Sequence, residues 1–159
     1  MAALQAAQLL APPEMTITIF DGLAKLPYFN PDMDDENPPD VVAAMRGAVG
    51  EADGLLICSP EYARGVAGVL KNGLDWLVGS LEFPNKPVAV INASPRSVHA
   101  DAALRLTLTT MSARLMDETS ILLPLLGRNL DAAEIAADVE LGGRLSEVLE
   151  SMQRFIAGI

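Results

Sequence analysis

Ser59-Pro60-Glu61-Tyr62-Ala63-Arg64-Gly65-Val66-Ala67-Gly68-Val69-Leu70-Lys71-Asn72-Gly73-Leu74-Asp75-Trp76-Leu77 is the stretch whose reading decides the fold. Ahead of it, Gly54-Leu55-Leu56-Ile57-Cys58 is a short apolar run that reads as a buried strand. Behind its turn residues, Val66, Val69, Leu70, Gly73, Leu74 and Leu77 recur at three- and four-residue steps, predicting an amphipathic helix over Val66 to Val78. The unit is strand, polar loop, helix. In an open α/β sheet, the loop at a strand's carboxyl end is where ligands bind.

Working outward, the remaining chain repeats this pattern. Ala2 to Leu10 reads as an amphipathic helix, because it lacks the basic start of a signal peptide and carries two Gln. Met15 to Phe20 alternates in the manner of a strand, and Asp21-Gly22 breaks it. The acidic, proline-rich run Pro31 to Asp40 reads as a solvated loop without the spacing of a calcium loop. A helix starts near Pro39, with Val41, Val42, Met45 and Val49 as its stripe. Pro87 to Ala93 is a second apolar strand, and strands apolar on both faces belong to parallel sheets covered on each side. A polar turn at Ser94-Pro95-Arg96-Ser97 leads to a helix over Asp101 to Leu115. A strand over Thr119 to Leu123 follows, then a helical pattern from Ala133 to Ile156 with a break expected at Gly142-Gly143. Such alternation predicts a doubly wound parallel sheet, three layers α/β/α, and one domain over residues 1–159.

Composition narrows the function classes. A net charge of −10 with scattered basic residues argues against nucleic acid and anionic lipid as partners. No apolar run approaches the ~18 residues that cross a bilayer. A single cysteine excludes an intramolecular disulfide, and the cytoplasm is the expected location.

Pro60-Glu61-Tyr62 followed by Gly68-Val69-Leu70-Lys71-Asn72 and Leu74-Asp75-Trp76 closely resembles the signature loop and helix of the NAD(P)H-dependent FMN reductases. That family has a flavodoxin-like fold and includes quinone, chromate and azo-dye reductases. Two positions depart from its pattern: the family's Asn after the Tyr is Ala63, and its frequent Pro at the helix start is Ala67. The resemblance implies FMN and NAD(P)H as cofactors, a small acceptor such as a quinone, and a homodimer or homotetramer. It also implies that Pro60, Glu61, Tyr62, Ala63, Arg64 and Gly65 meet the isoalloxazine, with Gly65 turning the chain into the helix. Ser94, Pro95 and Arg96 would approach the ring's pyrimidine side. In the family a central strand and phosphate loop precede the helix that Ala2 to Leu10 resembles, so the first strand has no expected counterpart here.

Flavin reduction asks for orientation and hydrogen bonds more than for acid–base side chains, so no catalytic residue and no metal ligand is assigned. Tyr62 reads as a flavin-side aromatic or an ordinary rim residue, and Glu61 as a ring contact or a brace for its loop. Trp76 reads as helix packing, Lys71 with Asp75 as a surface pair, and Arg64 and Arg96 as attractors of an anionic cofactor or solvated side chains. A hydrolase built on Ser59 or Ser94 with His99 and Asp101 lacks the required Gly-x-Ser-x-Gly turn. The alternative to a reductase is a non-catalytic binding or assembly module that no longer holds FMN.

Overall fold

Pro87–Asn92 (β4) is the strand on which the layers meet, and a computed structural model describes residues 1–116 and 121–158 around it. Its residues Pro87 through Ile91 are buried. Val88 and Val90 point to one side of the sheet and Ala89 and Ile91 to the other, as the two-residue period of a strand requires. Leu55–Cys58 (β1) runs parallel to it, in register from Leu55 opposite Val88 to Cys58 opposite Ile91. Arg114–Leu115 and Ile121–Leu122 pair with β4 from its other side, at its start and its end, also in parallel. Of the strand expected over Thr119 to Leu123, residues Thr119 and Ser120 lie outside the described residues.

Helices cover both faces. On one side, Asp40–Glu51 (α2) contributes Val42, Met45 and Val49, Gly68–Val78 (α3) contributes Leu74, Trp76 and Leu77, and Val98–Thr110 (α4) contributes Leu104 and Leu108. On the other, Ala2–Leu9 (α1) supplies Ala3, Ala6 and Ala7, Ala132–Ala137 (α5) supplies Ile135, and Val139–Ala157 (α6) supplies Leu141, Leu145 and Leu149. The result is the expected α/β/α sandwich with a parallel sheet.

Several expectations change. Met15 to Phe20 forms no backbone ladder among the described residues. Met15 and Ile17 sink into the α1/α6 side and Phe20 into the opposite one, so the alternation serves burial while no strand supplies hydrogen-bond partners. Along the same line, β1 has β4 as its one ladder partner among those residues. The fourth helix begins at Val98 and ends at Thr110, and Leu115 belongs to a strand. The break in the closing helical pattern falls at Asp138, not at Gly142-Gly143. Asp138 accepts from the amides of Glu140 and Leu141, capping α6, and binds Arg128 at 2.7 Å. The Leu141 amide, then the Arg128 side chain, hold this carboxyl below its ordinary value, so the cap persists at neutral pH and fades as acid protonates it. Gly142 serves close approach instead, since a Cβ there would meet the Ala136 carbonyl oxygen at 2.5 Å.

The signature helix holds a loop as well as the core. Trp76, fully buried, donates through Nε1 to the Pro27 carbonyl at 2.9 Å, and Asn72 donates to the same oxygen at 2.9 Å. Asn72 also accepts from the Phe29 amide at 2.8 Å, and the Phe29 ring meets Trp76 edge-on at 5.1 Å. Farther along, Arg46 bonds the Trp76 carbonyl and bridges to Asp34 at 2.7 Å, pinning the acidic run to α3. Replacing Asn72 by Ala removes both bonds to the loop backbone and should lower stability by about 1–3 kcal/mol. Urea unfolding together with limited proteolysis of residues 27–36 checks this; unchanged midpoint and cleavage would contradict the clamp.

Candidate functional site

Parallel pairing of β1 with β4 puts their carboxyl ends side by side, and the two loops that leave them meet at that edge. After β1 the chain does not form an open loop. Glu61–Tyr62 (β2) and Gly65–Val66 (β3) pair antiparallel as a hairpin, with Glu61 opposite Val66 and Tyr62 opposite Gly65. The turn between them is Ala63-Arg64, with φ of +49° and +60°. A two-residue hairpin of the type I′ class needs positive φ at both central positions, which is why Asn-Gly is its usual sequence. Ala and Arg satisfy it here at a cost of about 1–2 kcal/mol per residue. Gly65 therefore does not make the turn, as the sequence suggested; it is a ladder residue, and α3 begins beyond it at Gly68.

The hairpin is fastened to the second loop by Glu61. Its Oε2 accepts the backbone N–H of Ala100 at 2.9 Å, across 39 residues. Ala100 stands in the first turn of α4, whose N-terminal amides have no partner within the helix. The preceding residue Ser97 provides no side-chain cap, so Glu61 supplies one from the hairpin. Of its two sequence readings, the brace is what the geometry shows. The second loop has a brace of its own in Asn92, the last residue of β4. Its side chain accepts from the Ser94 amide at 3.0 Å and donates to the Ser97 carbonyl at 3.2 Å, while the Ser94 hydroxyl accepts from the Arg96 amide at 3.2 Å. From sequence, Asn92 reads as a strand residue only. A polar side chain ending an apolar strand, two residues before Ser-Pro, was the available signal.

All nine residues singled out from sequence thus lie on these two loops, joined through Glu61 and α4. Pro60 follows the buried Ser59, Tyr62 is 66% exposed, and Ala63, Arg64, Pro95 and Arg96 are exposed at the rim. Among the described residues, the backbone N–H groups of Ala63 and Arg64 carry no protein hydrogen bond. Beneath the loops is a cavity of about 10 Å³, lined among others by Ser59, Asn92, Ser97 and Ala100, room for one water at most. The edge is therefore a platform with free amide donors and an aromatic side chain. It suits a flat, polar-edged ring laid across it.

Other chemistry is not assembled there. The Ser59 hydroxyl donates to the Pro60 carbonyl, and Asp101 is bridged to Arg105 at 2.8 Å, so the Ser/His/Asp constellation is not formed. Burial raises the Cys58 thiol, with the N-terminal ammonium pulling partly the other way, which keeps the sulfur protonated and a poor nucleophile. Lys71 pairs with Asp75, as its spacing predicts. A concavity of about 550 Å³ is at the opposite edge of the sheet. There Lys86 is occupied with the Ala52 and Gly50 carbonyls, and no aromatic ring lines the wall.

Comparison with known proteins gives a consistent answer. A family model described as NADPH-dependent FMN reductase matches residues 1–124. An NAD(P)H-dependent FMN reductase of Pseudomonas aeruginosa is 31% identical over 98% of this chain and 86% of its own length. A 2-hydroxy-1,4-benzoquinone reductase of a Burkholderia species is 40% identical over 88 residues, 54% of this chain and 47% of that protein. The matched segments span about half the length of such quinone reductases. Among solved structures, the flavoenzyme NAD(P)H:(acceptor) oxidoreductase from Paracoccus denitrificans superposes with a TM-score of 0.83 at 23% identity, covering 98% of this chain and 87% of that one.

Two substitutions test the hairpin. Ala63→Asn, which tolerates the left-handed turn, should raise stability by about 0.5–1 kcal/mol. Glu61→Ala should lower it by about 1 kcal/mol through loss of the α4 cap, while Glu61→Gln keeps an acceptor oxygen and loses less. Thermal unfolding of the three variants decides; a destabilised Ala63→Asn would contradict the turn geometry.

Proposed function

Because the chain belongs to the NADPH-dependent FMN reductase family, we propose that it binds FMN across the carboxyl edge of β1 and β4 as one domain over residues 1–159. There it passes hydride from NAD(P)H through the flavin to a small acceptor such as a quinone. The observation that carries this is the joining of the two loops on one edge by the Glu61–Ala100 hydrogen bond, with unengaged amides at the hairpin tip.

Bound FMN supplies the hydride-accepting chemistry, and the protein supplies its position. The free N–H groups of Ala63 and Arg64 are donors suited to the carbonyl and ring-nitrogen edge of an isoalloxazine. Pro60 limits the backbone as it leaves β1, and the Ala63-Arg64 turn presents its amides in one direction. Tyr62 offers an aromatic wall, and Ser94, Pro95 and Arg96 approach from the second loop. Glu61 positions both loops. No side chain is assigned as a proton shuttle in this reading.

An open platform leaves one face of a bound ring available to nicotinamide and acceptor in turn. Quinones are the acceptor class that the names of several relatives carry. We place the protein in the cytoplasm as a homodimer, the lone free cysteine being at home in a reducing compartment. Tyr28, 92% exposed, offers apolar surface to a second copy. No helix among the described residues is long and apolar enough to cross a membrane. Nothing observed favours the non-catalytic module.

The purified 159-residue chain mixed with FMN and passed over a desalting column should retain flavin absorbance and then oxidise NADPH when benzoquinone is present. A colourless protein with no quinone-dependent NADPH oxidation would overturn the assignment.

A further inference from the structure

The chain has 11 Lys and Arg against 21 Asp and Glu, and the structure engages most of those cations. Arg46, Lys71, Arg105, Arg128, Arg144 and Arg154 pair with carboxylates, Lys86 with backbone carbonyls, and Arg114 with the Phe155 ring. Among the described residues, the side chains of Lys25, Arg64 and Arg96 carry no such partner. Lys25 sits on a short 3-10 turn, Leu23–Lys25, whose Leu23 packs against Gly73 in the middle of α3. The other two occupy the two loops of the candidate site. Arg64 is at the hairpin tip, three residues from Glu61, and Arg96 is four residues before Ala100, so the bond between Glu61 and Ala100 ties together the two loops that carry them. Carboxylates close by in sequence do not neutralise them, since Glu61 faces the Ala100 amide and Asp101 is bridged to Arg105.

We infer that Arg64 and Arg96 together form a phosphate-binding rim that takes the nucleotide end of the reduced nicotinamide dinucleotide, in particular the 2′-phosphate that distinguishes NADPH from NADH. This rests on the reductase reading for the presence of a flavin, while the phosphate contact itself does not. A molecule of net charge −10 repels a polyanion, so holding one needs local positive charge that its own acids have not claimed. Guanidinium presents a fork of donors that matches phosphate oxygens two at a time. Position also matters. Both arginines are exposed at the outer edge, where a long ligand would trail once its nicotinamide lies on the platform; a small acceptor on the ring would not need to reach them.

Calorimetric titration of the FMN-mixed protein with adenosine 2′,5′-bisphosphate, with AMP as the comparison, tests this at several salt concentrations. Arg64→Ala and Arg96→Ala should each weaken bisphosphate binding about tenfold, and the Lys variants by less, because the point charge remains while the fork is lost. Binding by the double variant should lose much of its salt dependence, and Lys25→Ala should bind as the parent does. KM for NADPH should rise more than KM for NADH. Loss on the bisphosphate with AMP unaffected assigns the rim to the 2′-phosphate; equal loss on both supports phosphate recognition with the 5′-linked phosphates as its source. Unchanged binding of both probes, no binding by the parent protein, or an effect confined to the KM for benzoquinone would overturn the inference. A parent protein that binds the bisphosphate yet retains no flavin would sink the reductase reading and leave this one standing.

Discussion

Everything at the candidate edge depends on the parallel ladder between Leu55–Cys58 and Pro87–Asn92. Two parallel strands in register deliver their following loops to the same side, whatever those loops contain. Antiparallel pairing would have sent Pro60 and Ser94 to opposite ends of the sheet. The ladder is maintained by burial of β4 on both faces, with valines against the α2/α3/α4 layer and Ala89 and Ile91 against the α1/α5/α6 layer. Packing thus sets the topology, and the topology sets where chemistry can happen.

Given that placement, local hydrogen bonds convert two neighbouring loops into one surface. Glu61 uses a donor that α4 cannot satisfy by itself, so one carboxylate both caps a helix and fixes a hairpin. Asn92 does the equivalent for the second loop, closing a turn with both ends of its side-chain amide. The signature helix contributes at a distance. Asn72 and Trp76, both on the motif's helix, face the Pro27 carbonyl and hold the segment that carries it, in keeping with the packing role that the sequence gives Trp76. A motif can therefore mark a family through its structural fasteners as much as through its ligand contacts.

The parts legible in sequence were those governed by burial. β1, β4, α2 and α3 announce themselves because an apolar run or a 3.6-residue stripe has one structural use. Met15 to Phe20 misled because alternation reports which sides a segment buries, and says nothing of whether a partner strand is present. The hairpin was hidden for a different reason: Ala63-Arg64 is a poor I′ turn by composition, and positive φ at both residues is imposed by the surroundings. Asp138 rather than the glycine pair divides the last helices because capping oxygens act on free amides, while Gly142 answers to the Ala136 carbonyl against it. Long-range contacts such as Glu61 to Ala100 leave no local trace at all.

The central claim is that the 59–66 hairpin and the 92–100 loop act as one platform for a flavin ring. Hydrogen–deuterium exchange of the protein with and without FMN measures this directly. Slower exchange on FMN addition at the amides of Ala63, Arg64 and the Ser94–Ser97 turn together is the predicted result. Slowing confined to the cavity around Gly50 and Lys86, or at one loop without the other, would contradict it.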